Sequence, residues 1–175
     1  MKTMLCNFCI KSGILCPNCQ EKVRSGQVTE TDIAVSRFLL KLEEKYPSIQ
    51  KIDFRGAHEA DNVLAIVVGD GDSQRILAEG GKIIREISES MGKKVRLFER
   101  KGDMRRFLEE LFFPVSITTI NKIWLPDGSQ ETRVILSGRS RRLPLKTDVL
   151  QALAKRVRGI TLRIAFENQL EEEYF

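Results

Sequence analysis

The sequence predicts an α+β protein: a small cysteine-bearing segment at the N-terminus, then one helix-strand-strand-helix-helix-strand unit used twice. Three observations carry that expectation. All four cysteines lie within the first 19 residues. Beyond them, stretches with apolar residues every three to four positions alternate with stretches apolar at every second position, so helices and strands interleave. Finally, the apolar positions Ile83, Ile84, Ile87 and Met91 recur as Val149, Leu150, Leu153 and Val157, a constant offset of 66 residues. A period this long, seen twice, predicts a duplicated domain and not a solenoid. The expected segments are 1–27 for the cysteine module, 28–102 and 103–168 for the two copies, and 169–175 for an acidic tail.

The N-terminal run CNFCIKSGILCPNC holds Cys6, Cys9, Cys16 and Cys19 as two CxxC pairs six residues apart. Each pair lets two thiolates from one tight turn reach the same ion, and two pairs complete a tetrahedral sulfur set. Gly13 and Pro17 suit the turns. One structural Zn²⁺ is the expectation, with an iron–sulfur centre and a disulfide or redox pair as the alternatives. A closed four-sulfur site leaves no open position for chemistry. The sole histidine, His58, is distant in sequence and falls in an expected hairpin turn, so a Cys–His nucleophile is not indicated. With so short a segment, folding is expected to depend on the metal.

In the first copy, Val35, Leu39, Leu42 and Tyr46 define one helical face over Thr31–Tyr46, with Thr29 or Thr31 as cap and Pro47 as stop. Lys51–Arg55 and Val63–Val68 read as strands joined by a polar turn at Glu59–Asn62. Asp72 or Ser73 caps a short helix carrying Ile76 and Leu77. The pair Gly80–Gly81 follows, then a helix whose apolar face is Ile83, Ile84, Ile87 and Met91, and a strand with Val95 and Leu97.

The second copy opens with MRRFLEELFF, a helix that must end before Pro114. Strands are expected around Val115–Leu125 and Val134–Leu136, with a turn at Pro126–Gly128 between them. A helix with Val149, Leu150, Leu153 and Val157 and a strand from Ile160 to Phe166 complete the copy. Trp124, at a strand end, reads as rim packing, with base stacking as the alternative.

The stretch AEGGKIIREISESMGKKVRLF, with the short helix before it, resembles a type II KH domain, and the tandem over roughly 31–166 resembles the archaeal NusA-like transcription factors. That resemblance implies a G-x-x-G loop between two helices, matched here by Ala78, Glu79, Gly80 and Gly81, with Lys82 following and Arg85 one turn on. It departs from the family at Ala78, where the first glycine would stand, and at the acidic Glu79. Glycines there let a nucleic-acid backbone approach the peptide, and the next helix N-terminus offers amide groups to phosphate. The resemblance also implies an apolar groove for bases, with Ile76, Leu77 and Ile84 as candidates. In the second copy the matching loop, Ser137–Thr147, keeps only Gly138 and leaves little room for the short helix, so this copy reads as degenerate. There Arg139, Arg141, Arg142 and Lys146 are the candidate phosphate contacts.

Charge supports a polyanionic partner. The net charge is +5, and nine Lys or Arg against one acid fall between Arg133 and Arg163. After Arg163 the sign reverses with Glu167, Glu171, Glu172 and Glu173. No run is apolar enough for a membrane span, no signal peptide is evident, and a cytoplasmic location is expected. No phosphate-binding loop, paired carboxylates or nucleophile elbow emerges, so neither an enzyme nor a small-molecule substrate is expected. By resemblance the chain would bind single-stranded RNA in transcription elongation or termination, its zinc module docking to RNA polymerase, ribosome or RNA. The alternative is a protein–protein adaptor that keeps the folds as scaffold.

Overall fold

The computed structural model describes residues 1–138 and 142–172. The chain forms two compact units, Met1–Lys101 and Gly102–Phe175.

The first unit begins with two short helices, α1 (Asn7–Ser12) and α2 (Pro17–Arg24), followed by α3 (Glu30–Lys45). Thr29 is the cap of α3. Its hydroxyl accepts the Asp32 amide at 3.2 Å, and the Asp32 carboxylate accepts the Thr29 amide at 2.8 Å, a reciprocal capping box. The other oxygen of buried Asp32 accepts the Ala57 amide at 2.6 Å, so the same residue also ties the helix start to the sheet. Pro47 forces Tyr46 into an extended conformation, which stops α3, and a 3-10 turn (Pro47–Lys51) leads into the strands.

Strands β1 (Phe54–Ala60) and β2 (Val63–Val68) form an antiparallel hairpin. The expected turn at 59–62 narrows to Asp61 and Asn62, with Asp61 at φ 51°, because pairing runs on through Glu59–Leu64 and Ala60–Val63. His58 therefore lies within β1, opposite Ala65, and not in the turn. Helices α4 (Asp72–Leu77) and α5 (Lys82–Met91) carry the chain back, and β3 (Lys94–Glu99) joins β2 in parallel, giving the order β1-β2-β3. A close approach at Gly69 shapes the entry to α4: a Cβ there would stand 2.8 Å from an Asp72 carboxylate oxygen, which accepts the Asp53 amide at 2.8 Å. Val35, Leu39, Leu42, Ile49, Ile52, Leu64, Ile66, Ile76, Ile83 and Ile87 form the core between helices and sheet.

The cysteine segment does not stand apart as the expected 1–27 module. Cys9, Ile10, Cys19, Leu5 and Val28 form a second buried cluster with Leu40 of α3, and Met1 and Met4 touch both clusters. Lys2 also pairs with the sheet edge, donating its amide to the Ile52 carbonyl and accepting from the Phe54 amide, each at 2.9 Å. The physical reason is amphipathicity: α3 is apolar on two sides, and the second side needs a cover.

The second unit contains α6 (Met104–Phe112), β4 (Ile117–Trp124), β5 (Gln130–Leu136), α7 (Thr147–Arg158), β6 (Leu162–Phe166) and α8 (Glu167–Glu172). Its sheet repeats the first: β4 and β5 are antiparallel, β5 and β6 parallel, in the order β4-β5-β6. Asp103 caps α6 by accepting the Arg106 amide at 2.7 Å. Among the described residues no α-helix stands between β5 and α7 where α4 stands in the first unit. The start of the expected acidic tail, from 169, lies within α8, whose first residue Glu167 accepts a 2.8 Å hydrogen bond from the Thr118 hydroxyl.

Candidate functional site

The two CxxC pairs adopt the same local geometry. Cys6 is the cap residue of α1 and Cys16 that of α2, while Cys9 and Cys19 sit at the third helical position of each. An extended cap followed by one helical turn brings both thiols of a pair to the same point. Gly13, at φ 77°, closes α1 and turns the chain so that the second pair faces the first. The four sulfurs lie within 4.8 Å of one another, with Cys6 and Cys9 at 3.0 Å and Cys6 and Cys19 at 3.8 Å. A tetrahedron with metal–sulfur bonds of about 2.3 Å has sulfur–sulfur edges of about 3.8 Å, so the set can close on one ion with small adjustments.

The Cys19 backbone amide lowers the Cys16 thiol to about 7, and Cys6 is lowered chiefly by the Cys9 side chain. Cys9 is pushed up to about 12, because its proton is shared toward Cys6. The Cys16 amide also donates to the Cys9 sulfur at 3.2 Å. The four thiols therefore share protons among themselves, Cys6 and Cys16 lowered and Cys9 and Cys19 raised. Cys9 and Cys19 are buried, Cys16 is half-buried and Cys6 is exposed.

The second candidate is the turn between α4 and α5. Ala78 continues α4 in right-handed geometry (φ −56°, ψ −29°), so glycine has no advantage there and the departure from a G-x-x-G pattern leaves the backbone unaltered. Gly80 (φ 63°) and Gly81 (φ 79°) are left-handed, and Gly81 caps α5. A Cβ on either glycine would meet nothing within 4 Å. The turn is therefore open to an incoming backbone. The Gly80 amide donates to the Leu77 carbonyl at 3.1 Å and the Lys82 amide to the Glu79 carbonyl at 3.3 Å. Glu79, Lys82 and Arg85 are exposed, and no ion pair engages them among the described residues.

The expected apolar groove is narrower than the three residues proposed for it. Ile76 is fully buried and belongs to the core, because its side of α4 faces the sheet. Leu77 is half exposed and Ile84 half-buried, so these two carry the apolar surface beside the turn. Glu86 steadies α5 by accepting both the Lys45 ammonium and the Tyr46 hydroxyl from the end of α3. The Lys45 contact holds the Glu86 carboxyl below its usual range, and the same carboxylate raises Lys45 and Tyr46.

In the second unit, Arg142 and Lys146 are exposed, and Lys146 is the extended residue before α7. Arg139 and Arg141 lie outside the described residues. Part of the basic segment is engaged internally: Arg163 pairs with Glu131 at 3.4 Å and Lys155 donates to the Thr161 hydroxyl at 3.3 Å. Trp124 is 71% exposed, so it is not packed at the sheet rim as its position had suggested. Sequence reading also passed over Phe8 and Ile14 beside the cysteines, each 72% exposed. Their apolar character alone predicts burial, and only the turn of α1 shows them facing solvent.

Comparisons with known proteins reach a part of the chain. No protein-family model matches. Over 60 residues the chain is 30% identical to the probable transcription termination protein NusA of Methanocaldococcus jannaschii, a stretch covering 34% of this chain and 33% of that protein. Over 81 residues it is 26% identical to the Methanococcus vannielii protein of the same description, covering 46% and 45% respectively. The chain thus spans less than half the length of either curated relative. The crystal structure of APE1850 superposes with a TM-score of 0.51 at 19% identity, covering 73% of this chain and 96% of that one, which is a likeness of fold. Among the described residues no helix is long and apolar enough to cross a membrane.

Proposed function

We propose that the chain is a single-stranded RNA-binding protein of the NusA type. It is built on two type II KH-like units, the second degenerate, and acts in the cytoplasm on nascent RNA or RNA polymerase. It works by binding and carries no catalytic centre. The observation that carries this reading is the open Gly80–Gly81 turn at the N-terminus of α5, flanked by exposed Lys82 and Arg85. Bare backbone, a helix N-terminus and two cations together fit a phosphodiester backbone, and Leu77 with Ile84 offers apolar surface for a base. Arg139, Arg141, Arg142 and Lys146 extend the anionic path on the second unit, adding affinity that depends on salt and little on sequence. The partial likeness to NusA proteins supports the assignment to transcription.

Cys6, Cys9, Cys16 and Cys19 hold one structural Zn²⁺ in this reading. Four thiols within 4.8 Å of one another suit a single tetrahedral ion. The ion supplies cross-linking of α1 to α2 and no reaction step.

The test is fluorescence anisotropy of short single-stranded RNAs at two salt concentrations, comparing wild type with Gly80→Asp/Gly81→Asp. Each added carboxylate facing a phosphate at about 4 Å costs about 1 kcal/mol even at the dielectric of water. Two therefore weaken binding roughly 30-fold. Unchanged affinity with an intact circular dichroism spectrum would remove the turn from the site. Exposed Glu79, a repulsive charge within the turn, favours the second reading, an adaptor that docks to RNA polymerase or ribosome. Absence of RNA binding in both proteins would select it.

A further inference from the structure

A groove of about 500 Å³ runs between the C-terminal half of α1 and one face of α3. Arg37, Leu40, Lys41 and Glu44 are spaced i, i+3, i+4, i+7 and so line up along that face. Ile10 and Leu40, both buried, form the floor. Lys11, Arg37 and Lys41 stand on the walls against a single acid, Glu44. Arg37 is held in place by donating its Nε–H to the Ile10 carbonyl at 3.2 Å, with its Nη2 3.9 Å from where a Cβ on Gly13 would stand. Lys11 and Lys41 form no ion pair among the described residues. Phe8 and Ile14 lie in the sequence on either side of Lys11 and Ser12, and Phe8 shares their face of α1.

We propose that this groove docks an acidic peptide segment of a partner protein, its carboxylates on Lys11, Arg37 and Lys41 and its apolar side chains against Phe8 and Ile14. Charge complementarity selects the occupant. Three cations around an apolar floor require a ligand that carries anions and hydrocarbon within the same few ångströms, as Asp or Glu beside Leu or Phe does. The apolar surface is mainly aliphatic, Ile10, Leu40 and Ile14 with Phe8 as the one flat ring, which suits peptide side chains better than a run of stacked bases. This surface is distinct from the Gly80–Gly81 turn and does not depend on RNA binding there. It also gives the cysteine centre a purpose: holding α1 in register with α3 shapes one wall of the groove.

The experiment uses the full chain and a fluorescein-labelled peptide alternating Asp or Glu with Leu or Phe, against a matched peptide with Lys in place of the acids. Lys11→Glu/Lys41→Glu and Phe8→Ser/Ile14→Ser should each weaken the acidic probe roughly tenfold or more, as expected for two lost charge or apolar contacts. Arg105→Glu/Lys122→Glu, on the other unit, should leave it unchanged, and oligouridylate should not displace it. Circular dichroism checks that each variant is folded. No binding of the acidic probe to wild type would overturn the proposal, as would equal weakening by the control variant, which means bulk charge attraction. Displacement of the acidic probe from wild type by oligouridylate would assign the groove to nucleic acid instead.

Discussion

Breaking the cysteine centre should destabilise the whole first unit and not merely loosen its N-terminus. Cys6→Ser/Cys9→Ser removes two of the four clustered thiols and should release the segment that covers α3. Residues that remain folded then lose specific contacts. Leu40, 5% exposed in the intact unit, loses its cover of Leu5, Ile10 and Val28. Exposing one fully buried leucine costs about 1.5–3 kcal/mol. The edge strand loses the two backbone hydrogen bonds to Lys2, worth about 1–3 kcal/mol together. The expected loss is therefore roughly 3–6 kcal/mol, a large fraction of the stability of a domain this size. Urea unfolding of the full chain followed by far-ultraviolet circular dichroism measures it. The sole tryptophan, Trp124, lies in the second unit, so its fluorescence tracks that unit separately. A variant that loses only a little helical signal and keeps the wild-type unfolding midpoint would refute the shared core and restore an independent module. Under the proposed zinc reading, treating wild type with a chelator should reproduce the variant.

Three other outcomes follow from local geometry. Gly69→Ala should cost more stability than Gly80→Ala. At Gly69 the new Cβ meets Asp72 at 2.8 Å and Asp53 at 3.1 Å, whereas at Gly80 only left-handed strain of about 1–2 kcal/mol applies; thermal melts rank them. Glu86→Gln should flatten the pH dependence of stability at both ends. The lowered Glu86 carboxyl contributes stability present above its ordinary value of 4.5 and lost as pH falls through the folded value. The raised Tyr46 and Lys45 contribute stability present below their ordinary values of 10.0 and 10.5 and lost as pH rises beyond them. Melting temperature across pH, wild type against variant, measures this, and parallel curves would discount the three-way contact. Arg142→Ala/Lys146→Ala should lower the log-log salt slope of RNA binding by about 1.4 if each side chain meets one phosphate, and an unchanged slope would take both off the path.

The order of elements in both units was legible because their apolar residues keep the helical and strand periods. Val35, Leu39 and Leu42 on one helix face, and Ile83 and Ile87 on another, can be buried together in few other ways. The capping box at Thr29 and the stop at Pro47 are local chemistry, and they act where the chain places them. The cysteine cluster was legible for the same reason: two CxxC pairs converge through the geometry of one helical turn each.

Burial on the irregular parts was not legible, because it depends on neighbours distant in the chain. Ile76 and Leu77 are adjacent and alike in sequence, yet one is in the core and the other half exposed, decided by which side of α4 faces the sheet. Leu40 looks like any helical leucine until α1 and α2 fold over it and make the cysteine segment part of the first unit. Residue types and periodicity determined by themselves the two-fold repeat, the two CxxC pairs and the double-glycine turn, since each is written in the local pattern of the chain. Tertiary structure alone decided that Gly80 and Gly81 face open space, that Ile76 is unavailable, and that Lys11 and Lys41 share a groove. Accessibility and proximity belong to the packed surface, and no single stretch of chain carries them.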